Sequence, residues 1–181
     1  LSKTNFYKAN LEGSNLSYST CIETNFKNAN MIKIRLDEAN LNSSNFFKAN
    51  LSKSNLTFAN LSNSNLKYSI LIKSNLEEAN LSGANLSYAN LNRANLQAAN
   101  LSKSNLKKAN LSFSDLRFVD LSESNMEKVN LRNSNLNEAN LSYSNLTNAN
   151  LEGASLEKTN LKGAIICKTQ MPWGLDNSNC K

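Results

Sequence analysis

An apolar side chain recurs at every fifth position from Leu1 to Ile166. Leu fills most of these positions, Asn usually precedes it, Ala or Ser usually precedes Asn, and the two residues that follow Leu are mostly polar. The positions without Leu hold Phe6, Cys21, Phe26, Met31, Phe46, Met126 and Ile166. An α-helix turns by about 100° per residue, so a five-residue step would scatter these side chains around its surface. A straight strand would place successive leucines on opposite faces. Neither continuous element explains the period.

A short extended side followed by a corner does explain the period. In an extended Ala-Asn-Leu triplet, Ala and Leu point to one side and Asn to the other. If the next two residues turn the chain, each pentapeptide becomes one side and one corner of a polygon. Stacked coils would pair their backbones, rise by about 4.8 Å each and bury a continuous leucine column. Each layer would contact mainly its neighbours, as in a solenoid.

The repeated Ala-Asn-Leu-x-x unit over about residues 1–170 resembles the pentapeptide repeat proteins. The resemblance implies an all-β fold: a right-handed quadrilateral parallel β-helix, a pentapeptide-repeat solenoid with about 20 residues per coil. The five-residue period ends near residue 170, so we expect a division into a β-helix over 1–170 and a C-terminal cap or tail over 171–181. The ending from Gly163 to Gly174 resembles cyanobacterial and plant-plastid members, although Trp173 stands where those members usually have Asp.

Two features of the repeat have both a structural and a functional interpretation. The Asn column could present a regular polar surface, but structure explains it better, because the Asn amide bonds readily to nearby backbone or to the Asn one coil away. The small position before Asn is enlarged at Ile34, Val119 and Val129. We expect these substitutions to be tolerated variation; the alternative is that Ile34-Arg35 forms a recognition bump.

The residues needed for catalysis are mostly absent. The chain has no His, so neither a Ser-His-Asp nor a Cys-His nucleophile can form. It contains neither a CxxC zinc spacing nor a Gly-rich phosphate loop. The carboxylate pairs Asp37-Glu38 and Glu77-Glu78 fall at corners, where we expect solvated side chains. We therefore expect a protein that is not an enzyme and uses no cofactor or metal.

The three cysteines divide into one core residue and one candidate pair. Cys21 occupies a leucine position and is predicted to be buried. Cys167 and Cys180 flank the C-terminal tail, where they are either a disulfide or two free thiols.

Charge is segregated when the corner residues are sorted by a 20-residue coil. One face, here called the basic face, comprises the corner pairs that begin at residue 7 and recur every 20 residues to 167–168. It carries eight Lys and one Glu, or +7, against a net charge of +6 for the whole chain. Lys with interleaved Tyr and Phe could hold phosphates and stack on bases. The candidate interaction residues on this face are Lys8, Lys27, Lys48, Lys67, Tyr68, Tyr88, Lys107, Lys108, Lys128 and Lys168.

The opposite face, here called the acidic face, comprises the corner pairs from 17–18 to 157–158. It carries six acidic and two basic residues, or −4. Some pentapeptide repeat proteins are acidic mimics of DNA that block type II topoisomerases. The positive net charge of this chain disfavours that role.

We therefore predict a non-enzymatic structural or protein-interaction scaffold, with another protein as partner. The alternative is a weak polyanion or nucleic-acid binder that uses the basic face. The open coil ends could allow self-association. No apolar run approaches the roughly 18 residues of a membrane span, so we expect no membrane insertion. A cytoplasmic location is compatible with this sequence, as is the thylakoid lumen or periplasm if the native N-terminus carries a signal.

Overall fold

The coil contains 20 residues and has four sides. A computed structural model describes residues 1–178 and 180. Parallel bridges join each residue of the Asn column to the residue 20 positions later, from Asn5 with Asn25 to Asn150 with Gln170. The predicted coil length is therefore confirmed, and residues 20 apart lie above one another on the same face.

Each straight side is too short to form a regular strand. In the middle of the chain, the Asn95 N–H donates to the Ser74 carbonyl of the preceding coil at 3.0 Å, and the Leu96 N–H donates to the Asp115 carbonyl of the following coil at 2.8 Å. The same alternation repeats at each side, so neighbouring coils pair through single bridges. Within the described residues, two strands of ordinary form occur only at the C-terminal end, β1 (Thr169–Met171) and β2 (Gly174–Asp176), which pair antiparallel as a hairpin. β1 also completes the last coil, because Gln170 bridges to Asn150.

Every corner is a tight turn whose second residue adopts a left-handed backbone conformation. At one corner the Ser54 N–H donates to the Leu51 carbonyl at 3.1 Å, and Lys53 has φ of 59°. A positive φ at this position recurs at each corner from Lys3 to Lys168. Glycine adopts this conformation most readily, yet Lys, Glu, Tyr, Phe and Asn occupy most of the corners. These side chains project outward, and nearly all of them are exposed.

The leucine positions from all four sides meet in one filled interior. The side chains at these positions are fully buried from Cys21 to Leu151, which confirms the core assignment of Cys21. Aromatic residues stack coil upon coil near the N-terminus: the Phe6 and Phe26 ring centroids are 5.3 Å apart, and those of Phe26 and Phe46 are 4.9 Å apart. The terminal coils are less covered, and Leu1 is 53% exposed.

The Asn side chains have the structural role expected from the sequence. Asn Oδ1 accepts the backbone N–H two residues later, as from Lys27 to Asn25 at 3.1 Å. Asn Nδ2 often donates to the Asn one coil earlier, as from Asn95 to Asn75 at 3.0 Å. The Asn column therefore satisfies corner N–H groups and links adjacent coils.

The larger side chains found at the small position before Asn are buried in the interior of the coil. Ile34, Val119 and Val129 are at most 1% exposed. The interpretation of Ile34-Arg35 as a recognition bump is wrong for Ile34, because its side chain lies inside the coil. Arg35 is outside, and its Nε lies 3.4 Å from Asp37 Oδ1.

The tail continues the last coil and then folds back. Met171 follows Leu151 on the apolar column and is fully buried, whereas Trp173 and Leu175 are 67% and 64% exposed. A disulfide joins Cys167 to Cys180. Of the residues expected to form the cap or tail, Asn179 and Lys181 lie outside the described residues.

Two buried serines at equivalent positions predict opposite stability effects. The Ser54 hydroxyl donates to the Leu51 carbonyl at 2.6 Å, whereas the Ser64 hydroxyl is buried without a hydrogen-bond partner among the described residues. Ser54→Ala should cost about 1 kcal/mol, because a net favourable hydrogen bond is lost. Ser64→Ala removes an unsatisfied hydroxyl and should stabilise the protein by up to about 1 kcal/mol. Urea unfolding measures both, and equal losses of stability would contradict the assignment.

Candidate interaction faces

The two corner positions present their side chains differently. The first corner residue is half-buried in most coils, and the second projects into solvent. On the basic face, Lys27, Lys67 and Lys107 hold the first position. Tyr68 and Tyr88 hold the second position, as do Lys8, Lys48, Lys108, Lys128 and Lys168. The 20-residue bridges stack all of these candidates on one face, over about 38 Å for eight coil steps.

Aromatic rings on the basic face are covered by its own lysines. Phe47 and Tyr68 meet edge to face with centroids 5.8 Å apart, and Tyr68 stacks on Tyr88 at 4.9 Å. Five lysine ammonium groups lie 5.2–5.5 Å from a ring centroid, within the range of cation–π attraction. The pairs are Lys8 with Tyr7, Lys27 and Lys48 with Phe47, Lys67 with Tyr68, and Lys108 with Tyr88. Because the ammonium groups occupy ring faces, the rings are less available for base stacking.

Glu127 offsets part of the charge on the basic face. Lys107 Nζ lies 2.6 Å from one Glu127 carboxylate oxygen, and Lys128 Nζ lies 3.5 Å from the other. The hydrogen bond from Lys107 lowers the pKa of Glu127, and the same bond raises the pKa of Lys107. The positive charge that no carboxylate of the described residues offsets therefore lies elsewhere on the face, at Lys8, Lys27, Lys48, Lys67, Lys108 and Lys168.

Several charged groups on the acidic face are held by their neighbours. The Ser17 hydroxyl donates to Asp37 Oδ1 at 2.7 Å, and this bond is the chief reason that the pKa of Asp37 lies below its ordinary value. The Asn95 amide donates to Glu77 at 3.2 Å. Arg117 is bonded to Asp115 at 2.7 Å, which lowers the pKa of Asp115.

Other side chains on the acidic face make no such contacts. The carboxylates of Glu38 and Glu78 have no ion pair or hydrogen bond within the described part of the chain. Tyr18, Phe58 and Phe118 are 69%, 56% and 51% exposed, and no other ring or cation covers them within that part. Analysis of charge alone missed these rings. Tyr18 and Phe58 are 40 residues apart, and Phe58 and Phe118 are 60 apart. Both separations are whole numbers of 20-residue coils, and this signal could have placed the three rings on one face.

The described residues provide no other recognisable chemical centre. They contain no group of three or more His, Cys, Asp or Glu side chains that could hold a metal ion. Among the described residues, no helix is present that is long and apolar enough to cross a membrane. The outward corners therefore carry most of the recognisable chemical variation.

A four-sided coil with a leucine interior and variable corners defines a solenoid of the β-helix class. The family model described as "Pentapeptide repeats" matches in eight copies, and the matched residues run from 4 to 171. This chain belongs to the pentapeptide repeat family, and the family's right-handed quadrilateral β-helix is its fold. No curated protein matches the sequence.

Solved structures of pentapeptide repeat proteins share this architecture. HetL, a pentapeptide repeat protein involved in heterocyst differentiation regulation from the cyanobacterium Nostoc sp. strain PCC 7120, is 29% identical with a TM-score of 0.62. That match covers 96% of this chain and 87% of HetL. QnrB1, a plasmid-mediated fluoroquinolone resistance protein, is 19% identical with a TM-score of 0.60 in one trypsin-treated form, over 89% of this chain and 88% of QnrB1. At that identity QnrB1 supports the fold alone.

Proposed function

We propose that this protein is a non-enzymatic scaffold that binds another protein through the outward faces of its coils. The observation that carries the proposal is that different positions of each pentapeptide have different structural roles. Leucine positions fill the interior and Asn links the coils, while the corner side chains project outward. The corners can therefore vary without changing the core, and they present regularly spaced groups to a partner.

Family membership supports a binding role over catalysis. HetL is involved in the regulation of a cell differentiation process, and a rigid rod with specific faces suits regulation by contact. The faces of this chain differ strongly in charge, and electrostatic complementarity favours encounter with selected partners.

Competitive affinity capture from the source cell tests this function. The immobilised chain should retain one or a few proteins in near-stoichiometric amount, and the free chain should displace them. The matched control is an immobilised variant with the exposed Lys, Glu and aromatic corner residues changed to Asn, which the corners accept at Asn28 and Asn148. Retention of the same proteins by this variant, or no competable protein, would contradict the scaffold function.

The basic face supports a second candidate function, weak binding of a polyanion or nucleic acid. Lysines stacked at about 4.8 Å could contact several phosphates at once. The cation–π contacts occupy ring faces that would otherwise stack on bases. This form of binding would therefore depend on charge more than on base identity.

A triple charge reversal on the basic face should weaken oligonucleotide binding. Lys48, Lys67 and Lys108 are suited to this test, because none of them is paired with Glu127. Their replacement by Glu should lower the affinity for a labelled single-stranded oligonucleotide and make its salt dependence shallower, since each phosphate contact contributes a slope of about 0.7. Fluorescence anisotropy across a salt series measures both quantities.

Reversal of three lysines on the other two faces, Lys3, Lys53 and Lys103, provides a control with the same change in net charge. This variant should lose less affinity. Equal losses in the two variants, or no binding by the original chain at about 50 mM salt, would rule out a role for the basic face in polyanion binding.

A further inference from the structure

The second corner position of the acidic face carries alternating rings and carboxylates. We define the outer ladder as the side chains at this position in four successive coils, in the order Tyr18, Glu38, Phe58 and Glu78. All four are exposed and have left-handed φ values between 54° and 60°. The same backbone conformation therefore directs each side chain outward.

The outer ladder differs from the aromatic residues of the basic face in one decisive respect. On the basic face the chain supplies its own cations, with Lys67 and Lys108 lying over Tyr68 and Tyr88. Along the outer ladder the rings of Tyr18 and Phe58 have no cation above them within the described part of the chain. The carboxylates of Glu38 and Glu78 also lack an ion-pair partner there. Carboxylates and open ring faces both attract a cation, and the described part of this chain supplies none to the ladder. The side chain that would complete these contacts is therefore a Lys or Arg of a partner.

The spacing of the ladder selects the secondary structure of the partner. Successive ladder side chains rise by about 4.8 Å, so the two carboxylates are about 9.6 Å apart, as are the two rings. In an α-helix, residues seven apart lie on one face and about 10.5 Å apart, at about 1.5 Å per residue. In a β-strand, same-face residues are about 6.6 or 13 Å apart. A helix laid along the rod fits the spacing, and a strand does not.

From this charge and spacing we infer that the outer ladder binds a basic amphipathic helix of a partner protein. Two cationic residues seven positions apart meet Glu38 and Glu78, and an apolar residue between them packs on Phe58. This inference rests on the proposed scaffold function and assigns the partner class to one face. Recognition by i, i+3 or i+4, and i+7 anchors is a recurring mode of helix binding.

A synthetic helical peptide tests the inference directly. The peptide has two lysines seven residues apart with a leucine four residues after the first, on an Ala- and Gln-rich background, and carries a fluorophore. A second peptide has the same composition but places one lysine on the opposite side of the helix. Fluorescence anisotropy should show at least about tenfold tighter binding of the first peptide.

Variants of the protein assign the contact to the ladder. Phe58→Asn and the pair Glu38→Gln with Glu78→Gln should each weaken binding of the matched peptide by about tenfold. Tyr143→Asn is the matched control, because Tyr143 is 61% exposed at the same corner position on a different face. It should leave peptide affinity unchanged, and circular dichroism melts should show that every variant is folded.

Equal affinity for the two peptides would overturn the inference, as would equal effects of Phe58→Asn and Tyr143→Asn. A fall in peptide binding as the protein concentration rises would also overturn it if the protein forms dimers through this face, because a second copy would then be the occupant. None of these results would remove the scaffold function if affinity capture retains a competable partner on another face. If the affinity capture retains no competable protein but the peptide still binds the ladder, the scaffold function is rejected instead.

Discussion

Replacement of Leu96 by Asp should unfold the middle of the coil. Leu96 lies on the apolar column and is fully buried, with coils stacked on both sides. Leu96→Ala should cost about 2–5 kcal/mol, from lost burial and the cavity left behind. Leu96→Asp should cost more, because a carboxylate would be buried without a partner. Chemical unfolding monitored by circular dichroism measures the free energy of unfolding of the original chain and of the two variants.

An exposed apolar residue provides the control for this series. Leu175 lies in the C-terminal hairpin and is 64% exposed, so Leu175→Asp should change stability by no more than about 0.5 kcal/mol. If Leu96→Asp unfolds at the same denaturant concentration as the original chain, the five-residue register of the core is wrong.

Replacement of Lys53 by Pro should break a corner. Lys53 has φ of 59°, and its N–H donates to the Ile72 carbonyl at 2.9 Å. Pro requires φ near about −65° and has no N–H, so Lys53→Pro should cost about 3 kcal/mol or more. Lys53→Gly should instead stabilise the protein by up to about 1 kcal/mol: relief of the left-handed strain exceeds the extra entropy that Gly loses on folding.

The comparison of Pro and Gly isolates the backbone from the charge. Both variants remove the same ammonium group, and Lys53 has no ion pair within the described residues. The difference between them therefore reports the backbone alone, through the left-handed conformation and the hydrogen bond from the Lys53 N–H to the Ile72 carbonyl. Thermal melts that coincide for the two variants would show that the corner does not require a positive φ.

The five-residue period was sufficient to predict the coil, because one side and one corner repeat with little variation. It predicted burial at Cys21 and the linking role of Asn25 and Asn95, both of which depend on spacing. The number of sides did not follow from the period; the family resemblance supplied it. The left-handed corner was also missed, because Lys and Glu outnumber Gly there and give no local signal for positive φ.

The candidate faces were predictable in register but not in their contacts. Once the coil length is known, residues 20 apart must share a face, so the basic face could be assembled from the sequence. The choice between a solvated, ring-bound or carboxylate-bound lysine depends on rotamers that the period does not specify. Lys67 lies over Tyr68, whereas Lys107 lies against Glu127, although both occupy the first corner position of the same face.

The most direct test of the scaffold account measures how one captured partner binds four variants, each with the exposed corners of a single face changed to Asn. Isothermal titration gives the affinities, and circular dichroism melts verify that the coil is intact. The account predicts a large loss of affinity for one face, small changes for the other three and no collapse of the fold in any variant. Undiminished binding by all four variants would contradict it, because recognition would then not reside in the outward corners.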